Sequence, residues 1–95
     1  MSTTEINPRI VRDLDRLGQL ERKVSGRRRQ LHRQIDELYL AAPLDDAQMA
    51  ELDELEETER AVSHERRKLH ETIDELRAEI GLPRWRDEHE LDNAA

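Results

Sequence analysis

The chain has 95 residues, 16 of them Lys or Arg and 23 Asp or Glu, with 35% apolar residues, one Trp, one Tyr, no Phe and no Cys. So few large hydrophobes cannot fill a thick interior, which argues against a conventional enzyme core and predicts a narrow helical seam within one domain at most. The lack of cysteine removes disulfides and thiolate metal sites and predicts a reducing, cytoplasmic setting. No apolar run approaches the roughly 20 residues that cross a bilayer.

Residues 1–7 read as an N-terminal tail, and Met1–Glu5 lack the basic then apolar pattern of a signal segment. The first helix is predicted over about 8–41, with Asn7 as its cap and Pro8 at its first position. Apolar residues then step by three and four through Ile10, Leu14, Leu17, Val24, Leu31, Ile35 and Leu38. This is the narrow stripe of a coiled coil, thinner than the broad apolar face of a globular helix. Gly18 and Gly26 each weaken the helix by about 1 kcal/mol relative to Ala and suggest no function.

A turn at 42–45 follows, because Pro43 cannot sit inside a helix without losing a hydrogen bond and clashing one turn back. The second helix is predicted over about 46–80. Asp45 and Gln48 have capping-box spacing, the stripe runs Leu52, Leu55, Val62, Leu69, Ile73, Leu76, Ile80, and Gly81 with Pro83 makes the stop. Residues 81–95 form a C-terminal tail in which Trp85 is expected to fold back on the helix end. The fold class is therefore all-α, a two-helix antiparallel coiled-coil hairpin, since so short a link makes the helices neighbours.

The register is testable within the sequence. In a hairpin turning near 42–45, the numbers of facing residues sum to about 87, which sets Leu14 opposite Ile73, Leu17 opposite Leu69, Val24 opposite Val62, Leu31 opposite Leu55 and Ile35 opposite Leu52. Two layers are polar, Glu21 opposite Arg66 and Arg28 opposite Glu59, and both are charge-paired.

The net charge of −7 argues against direct DNA binding. Its distribution is uneven. Glu21–Asp36 hold six basic residues against two acids, whereas Leu44–Glu59 hold eight acids and no base. The acidic stretch reads as a solvated helix start, or as a docking surface for a basic segment.

Shifted by 38 residues, Leu14–Leu38 align with Leu52–Leu76 and 15 of the 25 positions are identical. Some identities are the apolar stripe. The polar ones are Glu21, Ser25, Arg28, His32 and Asp36, which recur as Glu59, Ser63, Arg66, His70 and Asp74. At about 100° per residue the five fall within an arc of about 80° beside the seam. A guanidinium fork matches the O6/N7 edge of guanine, a carboxylate accepts from N1 and N2, and a serine reaches phosphate. Polar core layers also set register in coiled coils without any ligand, and Glu/Arg pairs would do so unaided.

The pattern E-x3-S-x2-R-x3-H-x3-D, carried twice, resembles the mark E-x3-S-x2-R-x3-Q-x3-D of the cyclic-di-GMP-responsive anti-sigma factors of actinobacteria, the RsiG type. The segments Val24–Leu31 and Ile35-Asp36 look like that family as well. The resemblance implies a hairpin that binds cyclic di-GMP as a partly intercalated dimer and, so loaded, holds a sigma factor of the flagellar and sporulation class. By analogy Arg28 and Arg66 stack on and hydrogen-bond guanines. Asp36 and Asp74 take the donor edge, while Glu21, Glu59, Ser25 and Ser63 orient the arginines or touch phosphate and ribose. His32 and His70 stand where the family has Gln; imidazole keeps one hydrogen bond and the ability to stack. Family members also carry chain beyond the hairpin, whereas here the hairpin is nearly everything.

The i, i+4 pairs His32/Asp36 and His70/Asp74 fall short of the three or four ligands a zinc site needs, so no metal is expected. No glycine-rich phosphate loop or nucleophile elbow occurs, and the expectation is a non-enzyme without cofactor. The alternative reading is a structural coiled-coil adaptor whose polar layers only set register. Self-association, as a four-helix assembly around the nucleotide, is left open by the sequence.

Overall fold

The computed structural model describes residues 7–84. Two helices, α1 (Pro8–Leu40) and α2 (Asp46–Glu79), account for the fold, with no strand among the described residues. The protein is an all-α helical hairpin with coiled-coil patterning. Each helix ends one residue earlier than expected. Trp85 and the rest of the C-terminal tail, like residues 1–6, lie outside the described residues.

The helix ends follow from backbone groups that need partners. The Asn7 side chain accepts from Arg9 N at 2.9 Å, and its carbonyl accepts from Ile10 and Val11. At the start of α2 the capping box is complete: Gln48 N donates to Asp45 Oδ1 at 2.7 Å and Asp45 N donates to Gln48 Oε1 at 3.0 Å. At its end Gly81 adopts a φ of 76°, in the left-handed region. That turn lets Leu82 N reach Arg77 O at 2.8 Å and Gly81 N reach Ala78 O at 3.1 Å, the paired bonds of a Schellman stop. Between the helices, Ala41 and Ala42 close back on the last turn of α1 before Pro43, whose preceding peptide bond is cis.

Two compact units make up the chain, Arg22–Arg66, and Met1–Glu21 with Arg67–Ala95. In the first, Leu31 and Val62 are buried at 7% and 2% exposure, and Val24, Ile35, Leu38, Leu52 and Leu55 are half-buried. Residues on its two helices bond in descending order on α2 as they ascend on α1: Ser25 with Arg66, Arg28 with Ser63, His32 with Glu59 and Tyr39 with Glu56. This is an antiparallel pairing. In the second unit Ile73 is buried at 3% exposure, with Ile10, Leu14, Leu17, Leu69, Leu76 and Ile80 half-buried. Across the described residues the predicted stripe residues are all withdrawn from solvent, yet only three aliphatic side chains, Leu31, Val62 and Ile73, are buried and none of them completely. At about 1.5–3 kcal/mol for each fully buried aliphatic, so thin a seam gives caps and polar contacts an unusually large share of stability.

Among the described residues no helix is long and apolar enough to cross a membrane.

Candidate functional site: a reciprocal polar edge beside the seam

Within the Arg22–Arg66 unit, four motif residues form one connected cluster. Arg28 Nε donates to Ser63 Oγ at 2.9 Å, and Ser63 Oγ donates in turn to Glu59 Oε1 at 2.5 Å. His32 Nε2 lies 3.0 Å from the same Glu59 oxygen, and Arg28 Nε lies 3.4 Å from it. The hydroxyl suits its middle position because it can accept and donate at once. Glu59 is held below the usual carboxylate range, first by the Ser63 hydrogen bond, then by that of His32, with the His32 and Arg28 charges adding and burial opposing. An ionised carboxylate only accepts, so His32 Nε2 carries the proton in this contact.

A second cross-seam bond in this unit has the same chemistry with the copies exchanged. Arg66 Nε donates to Ser25 Oγ at 2.8 Å. The arginine of each repeat thus holds the serine of the other, which is the symmetry expected when a duplicated helix pairs antiparallel with itself.

In the other unit His70 Nε2 meets Glu21 Oε1 at 3.2 Å, the counterpart of His32 with Glu59. The environments differ. The His70 and Glu21 side chains are 7% and 10% exposed, against 43% and 20% for His32 and Glu59. Of the two remaining motif residues, Asp74 is half-buried and Asp36 exposed, and Asp36 makes no hydrogen bond or ion pair among the described residues.

The predicted layer of Arg28 with Glu59 is present as an ion pair, but the hydrogen bonds reach one turn further. Arg28 is predicted opposite Glu59 and bonds Ser63; His32 is predicted opposite Leu55 and bonds Glu59. The cause is the tilt of every Cα–Cβ bond toward the helix N-terminus, which in an antiparallel pair carries a side chain toward higher numbers on its partner. The sequence has the serines orient the arginines or touch phosphate and ribose, and gives the histidines to the ligand; in the structure the serines hold Arg28 and Arg66, and the histidines hold Glu59 and Glu21. That tilt, added to the repeat, is the signal that would have found these pairs. The contact of Tyr39 Oη, which donates to Glu56 at 3.2 Å, carried no such signal.

Arg28 spends only its Nε in these contacts. Its two terminal nitrogens make no hydrogen bond among the described residues, and its side chain is 35% exposed. A guanidinium anchored at Nε with its outer fork unspent is a pre-oriented donor pair for a planar double acceptor. No group of three or more His, Asp or Glu that could hold a metal ion occurs among the described residues.

No protein-family model, curated protein or solved structure matches the chain.

Proposed function

We propose that the hairpin is a non-catalytic, cytoplasmic regulatory protein that binds cyclic di-GMP through its two motif copies and thereby controls a protein partner, an anti-sigma factor acting on a sigma factor of the flagellar and sporulation class. The observation that supports nucleotide binding most directly is Arg28, anchored by Ser63 with its outer fork unspent and Glu59 and His32 alongside. Guanine presents O6 and N7 as the matching acceptor pair, and carboxylates accept from N1 and N2. Asp36, exposed and unengaged, is the available carboxylate on that edge. The sigma-factor assignment rests on the twice-carried motif and its resemblance to the RsiG type.

In this mechanism the arginine–serine bonds hold the edge together. Nucleotide takes the arginine forks, the serine hydroxyls turn to phosphate, and the ligand completes a surface for the partner. By linkage, partner and nucleotide then raise each other's affinity equally. Pull-down of the sigma factor with and without cyclic di-GMP tests the coupling; recovery that is indifferent to the nucleotide refutes it.

One observation favours a different class of function. The polar edge is paired within the chain, Arg28 with Ser63 and Arg66 with Ser25, as in an adaptor whose polar layers set register. Replacing Glu21, Arg28, Glu59 and Arg66 together by Leu separates the readings. An adaptor stays folded, gains stability and changes only its association, whereas the nucleotide-binding protein loses its ligand.

A further inference from the structure

Five cations on α1, Arg22, Lys23, Arg27, Arg29 and Arg33, are exposed. The repeat sorts them. Lys23, Arg27 and Arg33 correspond to Ala61, Glu65 and Glu71, so their charge is not carried into the second copy. Arg22 and Arg29 correspond to Arg60 and Arg67, and all four are exposed. None of Arg22, Arg29 and Arg60, which lie in one unit, makes a hydrogen bond or ion pair among the described residues, although the chain has 23 acidic side chains.

Their place on the helix is specific. At about 100° per residue Arg29 falls about 20° beyond Asp36, the outer limit of the motif arc, and Arg22 about 20° beyond Arg29. Arg60 takes the position of Arg22 beside the second copy. The motif edge is therefore bordered, on the side away from the seam, by arginines whose long stems can lean over it. Exposed arginines left without internal acceptors suit phosphate oxygens, which the guanine-reading residues do not neutralise.

We infer that Arg22, Arg29 and Arg60 form a phosphate-binding rim for the same ligand, supplying charge while the motif residues supply base selectivity. The inference rests on the cyclic-di-GMP reading above.

The test is calorimetric titration of cyclic di-GMP into the wild type and into the triple variant Arg22→Gln/Arg29→Gln/Arg60→Gln, with helicity checked by far-UV circular dichroism. Three exposed charge contacts predict binding about tenfold weaker in the variant at about 50 mM salt, narrowing to about twofold at about 500 mM as screening removes their contribution. Preference over cyclic di-AMP, which carries the same phosphates, is unchanged. A variant that binds like the wild type at both salt concentrations overturns the rim alone. A wild type that takes up no cyclic di-GMP, with or without a flagellar-class sigma factor in the calorimeter cell, overturns the nucleotide reading and the rim with it.

Discussion

Arg28 Nε donates to the Ser63 hydroxyl at 2.9 Å, and the repeat-related Arg66 Nε donates to Ser25 at 2.8 Å, so each motif copy is held by the other. Removing the guanidinium removes the proposed guanine contact but little of the fold. Arg28→Ala is expected to lose at least about 100-fold in cyclic di-GMP affinity, in line with one bidentate pair and its charge. Its stability should fall by only about 0.5–1.5 kcal/mol, the net worth of one such hydrogen bond. Paired calorimetry and urea unfolding check both numbers.

Glu59 gives the hairpin an acid-sensitive contribution. Its folded pKa lies below the ordinary value of 4.5, chiefly through the Ser63 hydrogen bond. Folding therefore favours the ionised form, and the associated stability is complete above about pH 4.5 and fades as pH falls through the depressed folded value. Glu59→Gln should be less stable than the wild type at pH 6, with the difference shrinking as pH falls through the depressed folded value. Urea midpoints followed from pH 6 downward read this directly, and a difference that does not change with pH assigns the loss to packing.

Tyr39 is the only tyrosine, so its ionisation can be followed by absorbance without interference. Its hydrogen bond to Glu56, and then the Glu56 charge, raise its pKa above 10.0. The neutral phenol is favoured by folding, so this contact acts below about pH 10 and is lost as pH rises through the folded value. In Glu56→Gln the absorbance midpoint should fall back toward the free-tyrosine value.

The seam makes an unequal demand on its aliphatic residues. Ile73 is 3% exposed and Leu40 87% exposed. Ile73→Ala is expected to cost about 2–4 kcal/mol through lost transfer energy and the cavity left behind, and Leu40→Ala less than about 0.5 kcal/mol. Thermal melts of the two variants, with the wild type as reference, decide the point.

Much of the hairpin is legible in the amino-acid sequence. Pro43 between two stripes of period 3.5 forces a turn, Asp45 with Gln48 marks the start of α2, and Gly81 with Pro83 marks its end; all are local signals, and local backbone chemistry produced each of them. The facing of Arg28 and Glu59 was also legible, because antiparallel register follows from the position of the turn. Less legible were contacts set by side-chain direction. Layer counting treats a residue as pointing straight across, whereas Arg28 and His32 lean one turn along α2 to Ser63 and Glu59. The unequal burial of His70 and His32 was invisible for a similar reason: identical motif letters sit among different neighbours, which only three-dimensional packing distinguishes.

The central claim is that the paired motif edge recognises cyclic di-GMP, and calorimetric titration of the purified chain at near-physiological salt, with GTP and cyclic di-AMP as controls, tests it most directly. Saturable binding, selective for cyclic di-GMP and lost in Arg28→Ala, is the expected result. Heat no greater than that of the controls, with and without a flagellar-class sigma factor in the cell, would contradict it and leave the reciprocal arginine–serine bonds as a register device of a coiled-coil adaptor.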